Sequence, residues 1–176
     1  PFGAVGLLTL LLYSGPIGRY RSLVLIAPGL GFGVPMVGGV SYLLSGYVTS
    51  ASVWMSLLVF FLVNNLLLLN QFPDREPDRA VGRNNWVIAS PRRAAHIHSL
   101  FYVLAYLVLV LGVWSEALPI WGLLGAVTAP VAVIAARDTQ RAVANRAPIS
   151  HATLGQNVLV VLATPLFTSL ALLMSC

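Results

Sequence analysis

Charged residues are scarce in this sequence, and their scarcity excludes a soluble domain. Only 9% of the 176 residues are charged, 58% are hydrophobic, and the mean hydropathy is +0.86. A soluble domain carries about 25% charged residues, so this chain could not cover its own surface with polar groups. Apolar runs of about 20 residues are long enough to cross the hydrocarbon core of a bilayer. The composition therefore indicates an integral membrane protein.

Lysine is absent and cysteine occurs once. All ten basic residues are arginines that lie between apolar segments. The net charge of +5 therefore indicates orientation in a membrane rather than binding to nucleic acid. The single cysteine, Cys176, is the last residue, which excludes an intramolecular disulfide and leaves the redox compartment open.

Apolar segments of spanning length recur along the chain, and a segment that crosses lipid satisfies its backbone by forming a helix. A shorter segment, Phe2–Tyr13, is predicted to be a partial span. Because the chain opens in the middle of an apolar pattern, without Met, we expect it to be the latter part of a longer protein. The fold class predicted for residues 1–176 is all-α: a single polytopic transmembrane helix bundle, with five full spans and one partial span. The full spans are predicted at residues 22–44, 52–70, 98–114, 118–136 and 157–174.

Connections that contain arginine alternate along the chain with connections that contain none. Residues 14–21, 72–97 and 137–156 contain two, five and three arginines. The intervening turns, 45–51 and 115–117, contain none. Because arginine-rich loops stay on the cytoplasmic side, all ten arginines are predicted to lie at the cytoplasmic face.

One connection is chemically rich. It follows an apolar span and reads Asn70-Gln-Phe-Pro-Asp74-Arg-Glu-Pro-Asp78-Arg-Ala-Val-Gly82-Arg83. Asn70, Asp74 and Asp78 are four residues apart, so on a regular helix they would share one face, with Glu76 pointing elsewhere. Two carboxylates held close together repel each other, and a divalent cation relieves that repulsion.

Magnesium is the cation that these residue types favour, since it takes one or two carboxylates and completes its shell with water and phosphate. Zinc is disfavoured, because His96 and His98 would face opposite ways on a strand and have no third ligand nearby. Arg75, Arg79 and Arg83 surround the acids, and arginine grips phosphate oxygens in paired hydrogen bonds. Beside an apolar bundle, these residues suit a ligand with a charged head group and a long apolar chain, such as a polyprenyl diphosphate.

Two alternatives remain open at this point. The Asp and Arg side chains of such a loop can be solvated salt pairs that contribute about 0–1 kcal/mol each. Pro73 and Pro77 each remove a backbone donor, so the acids can lie on a bent helix end instead of a regular helix.

The stretch from Asn70 to Arg83 resembles the second aspartate-rich motif of the UbiA superfamily of membrane prenyltransferases. Its residue pattern is most similar to that of the branch that prenylates 1,4-dihydroxy-2-naphthoate in menaquinone synthesis. The segments Leu11-Leu-Tyr13-Ser-Gly-Pro16 and Tyr20-Arg21 resemble the tyrosine-containing turn and basic pair of that branch. The resemblance implies Mg²⁺ as cofactor, held by the catalytic pair Asp74 and Asp78. It also implies substrate binding by Asn70, Arg21, Tyr13, Arg79 and Arg83.

The sequence departs from this family in three ways. The first aspartate-rich motif, N-D-x-x-D, has no match, and the family has more spans than are counted here. Both differences lie toward the N-terminus, so we expect residues 1–176 alone to be inactive. After Arg83 the family often has a basic residue and Thr, whereas this chain has Asn84-Asn85-Trp86. Trp86 could cover the site, and His151, Gln156 and Asn157 are candidates for contact with an aromatic acceptor.

The function expected from the resemblance is Mg²⁺-dependent transfer of a polyprenyl group to an aromatic acceptor, 1,4-dihydroxy-2-naphthoate, at the cytoplasmic face of a bacterial inner membrane. The expected partners are polyprenyl diphosphate, the acceptor and membrane lipid. Alternatives are a prenyltransferase with another acceptor, a non-catalytic isoprenoid-binding remnant, and a transporter or lipid-binding protein. No charge falls within a predicted span, which disfavours ion-coupled transport.

Overall fold

The computed structural model describes residues 2–13 and 17–174, and within these ranges the chain is helical with no strand. This confirms the all-α fold class. A short 3₁₀ turn, Ile17–Arg19, precedes α2, and a longer 3₁₀ segment, Ile120–Thr128, leads into α8. The α-helices are α1 (Phe2–Tyr13), α2 (Arg21–Pro28), α3 (Val34–Ser45), α4 (Ser50–Asn70), α5 (Arg75–Ala80), α6 (Trp86–Ala89), α7 (Pro91–Trp114), α8 (Ala129–Ala144) and α9 (His151–Met174).

Five continuous helical stretches are long and apolar enough to cross a membrane, in agreement with the predicted number of full spans. Two of them are composite. The first joins α2 to α3 through a π-helical segment, Gly29–Gly33, and the fourth joins the long 3₁₀ segment to α8. The five spans are Arg21–Ser45, Ser50–Asn70, Pro91–Trp114, Ile120–Ala144 and His151–Met174.

Three predicted span boundaries were wrong at the arginine-rich end of the bundle. Helix α7 begins at Pro91 instead of residue 98, α8 continues to Ala144 instead of 136, and α9 begins at His151 instead of 157. Hydropathy locates the hydrocarbon core, whereas a helix continues into the polar headgroup layer until its backbone is capped. Ser90, for example, caps α7 by accepting a hydrogen bond from the Arg93 N–H. Charged residues therefore do lie on spanning helices, close to their arginine-rich ends; Arg137 and Asp138, about two turns before the end of α8, lie farthest in.

Helix α4 lies at the centre of the bundle, packed against α3, α7 and α9. Leu58 and Leu62 of α4, Leu109 of α7 and Val160 of α9 are completely or almost completely buried and form the main core. Lipid is as apolar as leucine, so close packing and interhelical hydrogen bonds stabilise such a bundle more than hydrophobicity does.

The π-helical segment packs against α4 through glycine. Gly29 and Gly33 are buried, and a Cβ on Gly33 would lie 2.8 Å from the backbone N and Cα of Phe60. The side chain of Asn64 accepts a hydrogen bond of 2.7 Å from the Gly29 N–H. Glycine thus permits a backbone contact that fixes the first span against the helix preceding the aspartate-containing loop.

The segments that contain the arginines meet at one end of the bundle. Asn84 N–H donates to the Gly18 carbonyl over 2.9 Å, which joins the connection after α4 to the residues before α2. Residues of the α8–α9 connection, including Arg146, line a cavity together with Pro73 and Arg75. This arrangement agrees with the alternation predicted from the loops, and the assignment of this end to the cytoplasm remains a prediction.

We expect a reporter fused after Arg146 to be cytoplasmic and one fused at Gly46 to be on the other side, because arginine-rich loops are retained in the cytoplasm. Paired phosphatase and fluorescent-protein fusions at both positions measure this. If both fusions report the same side, the number of spans between them is wrong.

Candidate functional site

The aspartate-containing connection begins where α4 ends, at Asn70. Residues 71–74 form a turn, and α5 starts at Arg75. The helix therefore does not run without a break from Asn70 to Asp78. Pro73 accounts for the break, because its ring would clash with the carbonyl four residues earlier in a continuing helix. The bent alternative predicted from the prolines is the one observed.

Pro77 does not break α5. It lies in the first turn of that helix, where a backbone N–H would have no intrahelical acceptor. Asp74 precedes the helix at its N-cap position, and the Asp78 N–H donates to the Asp74 carbonyl over 2.9 Å. The two aspartates are thus joined by a single helical turn.

Asp78 differs from the other acids of this connection because its two carboxylate oxygens accept hydrogen bonds from two different residues. Its Oδ1 accepts from Arg83 Nη1 at 3.1 Å, and its Oδ2 accepts from Asn85 Nδ2 at 3.0 Å. Asp78 is only 8% exposed, so these bonds replace hydration that the charge has lost. The structure therefore brings together two predicted site residues, Asp78 and Arg83, and adds Asn85.

The geometry of this network follows from the residues around it. Gly82 has φ +74°, a left-handed conformation that glycine adopts without steric cost, and it reverses the chain after α5. Asn85 is buried and uses its other side-chain atom, Oδ1, to accept from the Ile88 N–H and cap α6. One asparagine thus fixes both a helix start and the position of the Asp78 carboxylate.

Arg21 lies beside Trp86. Its guanidinium is 5.5 Å from the centroid of the indole ring, within the range of a cation–π contact. Asn84 adds a second link, since its side chain donates to the Arg19 carbonyl over 3.2 Å. The predicted diphosphate ligand Arg21 is therefore held next to the loop that contains Asp78.

The structure does not bring the remaining predicted residues into this network. Asp74 is exposed, and its carboxylate makes no hydrogen bond or ion pair with any residue that the structure describes. Arg79 is exposed and pairs with Glu76 at 3.4 Å. Asn70 is half-buried at the end of α4. Tyr13 is the last residue of α1, and the prediction for its side chain lies outside what the structure describes.

Two cavities border the connection. A space of about 10 Å³ beside Asp78 and Arg83 is too small for more than a water. A larger cavity, of about 310 Å³, is lined by Arg75, Glu76 and Arg146. The Nε of Arg75 is buried without a hydrogen-bond partner among the described residues. An anionic group in the larger cavity could satisfy this donor.

Within the described ranges, no three His, Cys, Asp or Glu side chains are grouped to hold a metal. The two histidines, compared above as they would lie on a strand, both lie on α7, where His98 is buried and His96 is exposed. Asp74 and Asp78 still fit magnesium, which takes few carboxylates and completes its shell with phosphate and water. Each Asp78 oxygen has a second acceptor position beside its hydrogen bond.

Sequence reasoning missed a chain of buried polar side chains inside the bundle. His98 Nδ1 lies 2.6 Å from Asn65 Oδ1, and Tyr102 Oη donates to Asn157 Oδ1 over 2.6 Å. The His98 and Tyr102 rings are in edge contact, with centroids 4.9 Å apart. These contacts tie α4, α7 and α9 together, and Asn65 lies five residues before the end of α4 at Asn70. Asn157, predicted as a candidate for acceptor contact, is instead buried in this chain.

A second polar cluster lies deeper in the same bundle. Thr128 Oγ1 lies 2.8 Å from Tyr106 Oη and 2.6 Å from Thr164 Oγ1. The sequence signal that could have revealed the first cluster is Asn64-Asn65, two adjacent amides within an otherwise apolar run. Such residues in a span are costly unless they face the interior of the bundle and find partners.

The fold and the connection together define an integral membrane protein with a carboxylate–arginine site at one end of its helices. A model described as the UbiA prenyltransferase family matches residues 1–154, and the chain belongs to that family. Members are membrane prenyltransferases that take prenyl diphosphates and aromatic acceptors and generally depend on Mg²⁺. Comparison with curated proteins found no match, and comparison with solved structures found none either.

Proposed function

We propose that this protein transfers a polyprenyl group from a polyprenyl diphosphate to 1,4-dihydroxy-2-naphthoate at the cytoplasmic face of a bacterial inner membrane. The observation that carries the proposal is the buried Asp78 carboxylate, held by Arg83 and Asn85 beside the exposed Asp74. It lies at the mouth of an apolar bundle in a chain of the UbiA family. The diphosphate head group would lie at this charged end of the helices, and the isoprenoid chain would lie within the apolar bundle.

Asp74 and Asp78 are the residues that would hold Mg²⁺. Bound there, the ion would neutralise charge on the diphosphate as the allylic C–O bond breaks. Asp74 has its carboxylate free for this purpose, whereas Asp78 is oriented by its two hydrogen bonds. Hydrogen bonds that fix a ligating carboxylate in advance are a usual feature of metal sites.

The arginines would bind the diphosphate oxygens. Arg83 is already beside Asp78, and Arg21 is held against Trp86 close to the same loop. Arg79 is exposed and would have to leave Glu76, a surface pair that contributes about 0–1 kcal/mol. Asn70 and Tyr13 are proposed to complete the substrate contacts from the ends of α4 and α1.

The reaction needs no covalent protein intermediate. The allylic C–O bond breaks, its electron pair leaves on the diphosphate, and the electron-rich ring forms a C–C bond to the allylic carbon. A proton then leaves the ring, or carbon dioxide in the case of the naphthoate. The contribution of the chain is to bind the leaving diphosphate through arginine and to keep water from the allylic carbon with the apolar bundle.

One observation favours a non-catalytic, isoprenoid-binding protein as the second candidate. Both Asp78 oxygens already have protein partners, and no larger group of metal ligands occurs in the part of the chain that the structure describes. In that case the connection would bind a diphosphate without activating it.

The full-length protein in detergent, with Mg²⁺, a polyprenyl diphosphate and one acceptor at a time, distinguishes these functions. The acceptors are 1,4-dihydroxy-2-naphthoate and 4-hydroxybenzoate, and products are identified by mass. We expect a prenylated naphthalene that has lost carbon dioxide, and no product without Mg²⁺. Product from the benzoate alone would show that the acceptor is a hydroxybenzoate and not the naphthoate. Tight diphosphate binding with no product from either acceptor would favour the non-catalytic, isoprenoid-binding protein.

A further inference from the structure

A second cationic cavity is lined by residues of α7 and α8 and by none of the aspartate-containing connection. It has a volume of about 460 Å³ and opens between the first turns of α7 and the last turns of α8. Its charged and titratable lining residues are Arg92, His96, Arg137 and Arg141, and no Asp or Glu lines it. The nearest acid on these turns is Asp138, which pairs with Arg141 at 3.8 Å. The cavity therefore has a net positive lining.

An apolar groove continues from this cavity along the same two helices. The groove has a volume of about 440 Å³, and its lining is mainly aliphatic and aromatic, with Tyr102, Tyr106 and Val133 among its residues. Arg137 and Gln140 line both spaces, so the two are contiguous. Gln140 Nε2 donates to Ser99 Oγ over 2.7 Å and joins α8 to α7 at this junction.

The groove opens on the outer face of the described bundle. Val103 of α7 and Val133 of α8 line it, and they are 62% and 47% exposed. A molecule in the groove would thus lie where lipid lies, while a head group in the cavity would be at the depth of the helix ends.

We propose that this cavity and groove form a binding site for one anionic phospholipid, distinct from the prenyl diphosphate site. The arginines would bind the phosphate, and one acyl chain would lie in the groove. Arginine matches phosphate oxygens in paired hydrogen bonds, and basic pockets between transmembrane helices recognise anionic lipid head groups. The absence of a lining acid favours a net negative lipid over a zwitterionic one.

The lining residues of this site lie outside the aspartate-containing connection, and Val143 lines both this cavity and the cavity of about 310 Å³ that borders the connection. None of the residues that line the cavity or the groove belongs to the predicted magnesium and diphosphate set. Gln140 and Ser99 hold α7 to α8, and a bound lipid would bridge the same two helices. Lipid binding is therefore expected to hold α8 against the bundle.

The test is native mass spectrometry of the full-length protein in neutral detergent, titrated with phosphatidylglycerol or with phosphatidylcholine of the same acyl chains. We expect one phosphatidylglycerol to remain bound when phosphatidylcholine dissociates. The double variant Arg137→Gln, Arg141→Gln should weaken phosphatidylglycerol binding on the order of tenfold or more. The matched double variant Arg19→Gln, Arg93→Gln removes the same charge at two exposed arginines that line neither cavity, and it should leave binding unchanged.

The groove is tested by a second pair of variants. Val133→Trp fills the groove and should weaken phosphatidylglycerol binding, whereas Val127→Trp adds the same bulk at an exposed position outside it. Inorganic phosphate should not displace the lipid, because it lacks the chain. Equal affinities for the two lipids, or equal losses in the two arginine variants, would overturn the proposal. Displacement by one polyprenyl diphosphate would instead assign the pocket to the prenyl substrate and would overturn it too.

Discussion

Replacement of Asp74 by Asn is expected to slow prenyl transfer by the full-length protein on the order of a hundredfold or more, the usual cost of losing a group that stabilises transition-state charge. The thermal stability should not fall. Asp74 is exposed, and its carboxylate has no hydrogen bond or ion pair in the described part of the chain. Its removal therefore leaves no buried donor without a partner. Initial rates and melting temperature measured on the same preparation test both halves of this expectation.

Glu76→Gln is the matched control, because Glu76 is an exposed carboxylate on the same short helix and pairs only with Arg79. It should cost far less than Asp74→Asn. Asp78→Asn should lower both activity and stability, since an amide would place N–H groups against the donors of Arg83 or Asn85. Equal losses of activity in Asp74→Asn and Glu76→Gln would show that the position of Asp74 has no special role.

Replacement of Gly33 by Ala is expected to destabilise the bundle by about 1–3 kcal/mol, the usual cost of overfilling a packed interior. The added Cβ would lie 2.8 Å from backbone atoms of Phe60, and a backbone, unlike the end of a flexible side chain, cannot turn away. The first span would have to move off α4. Thermal unfolding in detergent, followed by loss of the monodisperse peak in size-exclusion chromatography, measures the change.

Gly155→Ala provides the matched control. Gly155 is also a helical glycine in a span, but, apart from its own helix backbone, no atom of the described residues lies within 4 Å of the position of its Cβ. Alanine should stabilise the protein there by about 0.5–1 kcal/mol, because the unfolded chain has fewer conformations with alanine than with glycine. A melting temperature that falls equally in both variants would mean that the π-helical segment does not touch α4.

Hydropathy was sufficient to predict the five spans, and the arginine alternation predicted that the arginine-containing connections share one end of the bundle. They could not predict where helices end at the arginine-rich face. Arg92 and Arg141, for instance, are polar, yet they lie on α7 and α8 because a helix end is set by capping and not by polarity. The prolines predicted the break after Asn70 for a steric reason that needs no tertiary contact.

The candidate site was predictable only in part. The four-residue spacing identified Asp78 and placed Arg83 near it, but nothing local reveals that Asn85 fixes the second carboxylate oxygen. Asn85 appeared in the sequence as a departure from the family pattern, and in the structure it is buried at the centre of the network. The contact between Arg21 and Trp86 joins distant segments, so only the folded chain shows it.

The buried polar chain of α4, α7 and α9 illustrates a different limit. Asn65, His98 and Asn157 are far apart in sequence, and His98 and Asn157 each resemble an interfacial residue at the end of a span. Their function as a group depends on the packing of three helices. The polar pair Asn64-Asn65 was the one local signal, because two amides in an apolar run need partners within the bundle.

The central claim, that Asp74 and Asp78 hold a divalent ion together with a prenyl diphosphate, is tested most directly with Mn²⁺ in place of Mg²⁺. Electron paramagnetic resonance measures free and bound Mn²⁺ in the full-length protein with and without the diphosphate. We predict tight binding only when the diphosphate is present, a marked loss of binding in Asp74→Asn, and retention in Glu76→Gln. Mn²⁺ binding that is the same in wild type and in Asp74→Asn, with the diphosphate present, would contradict the account.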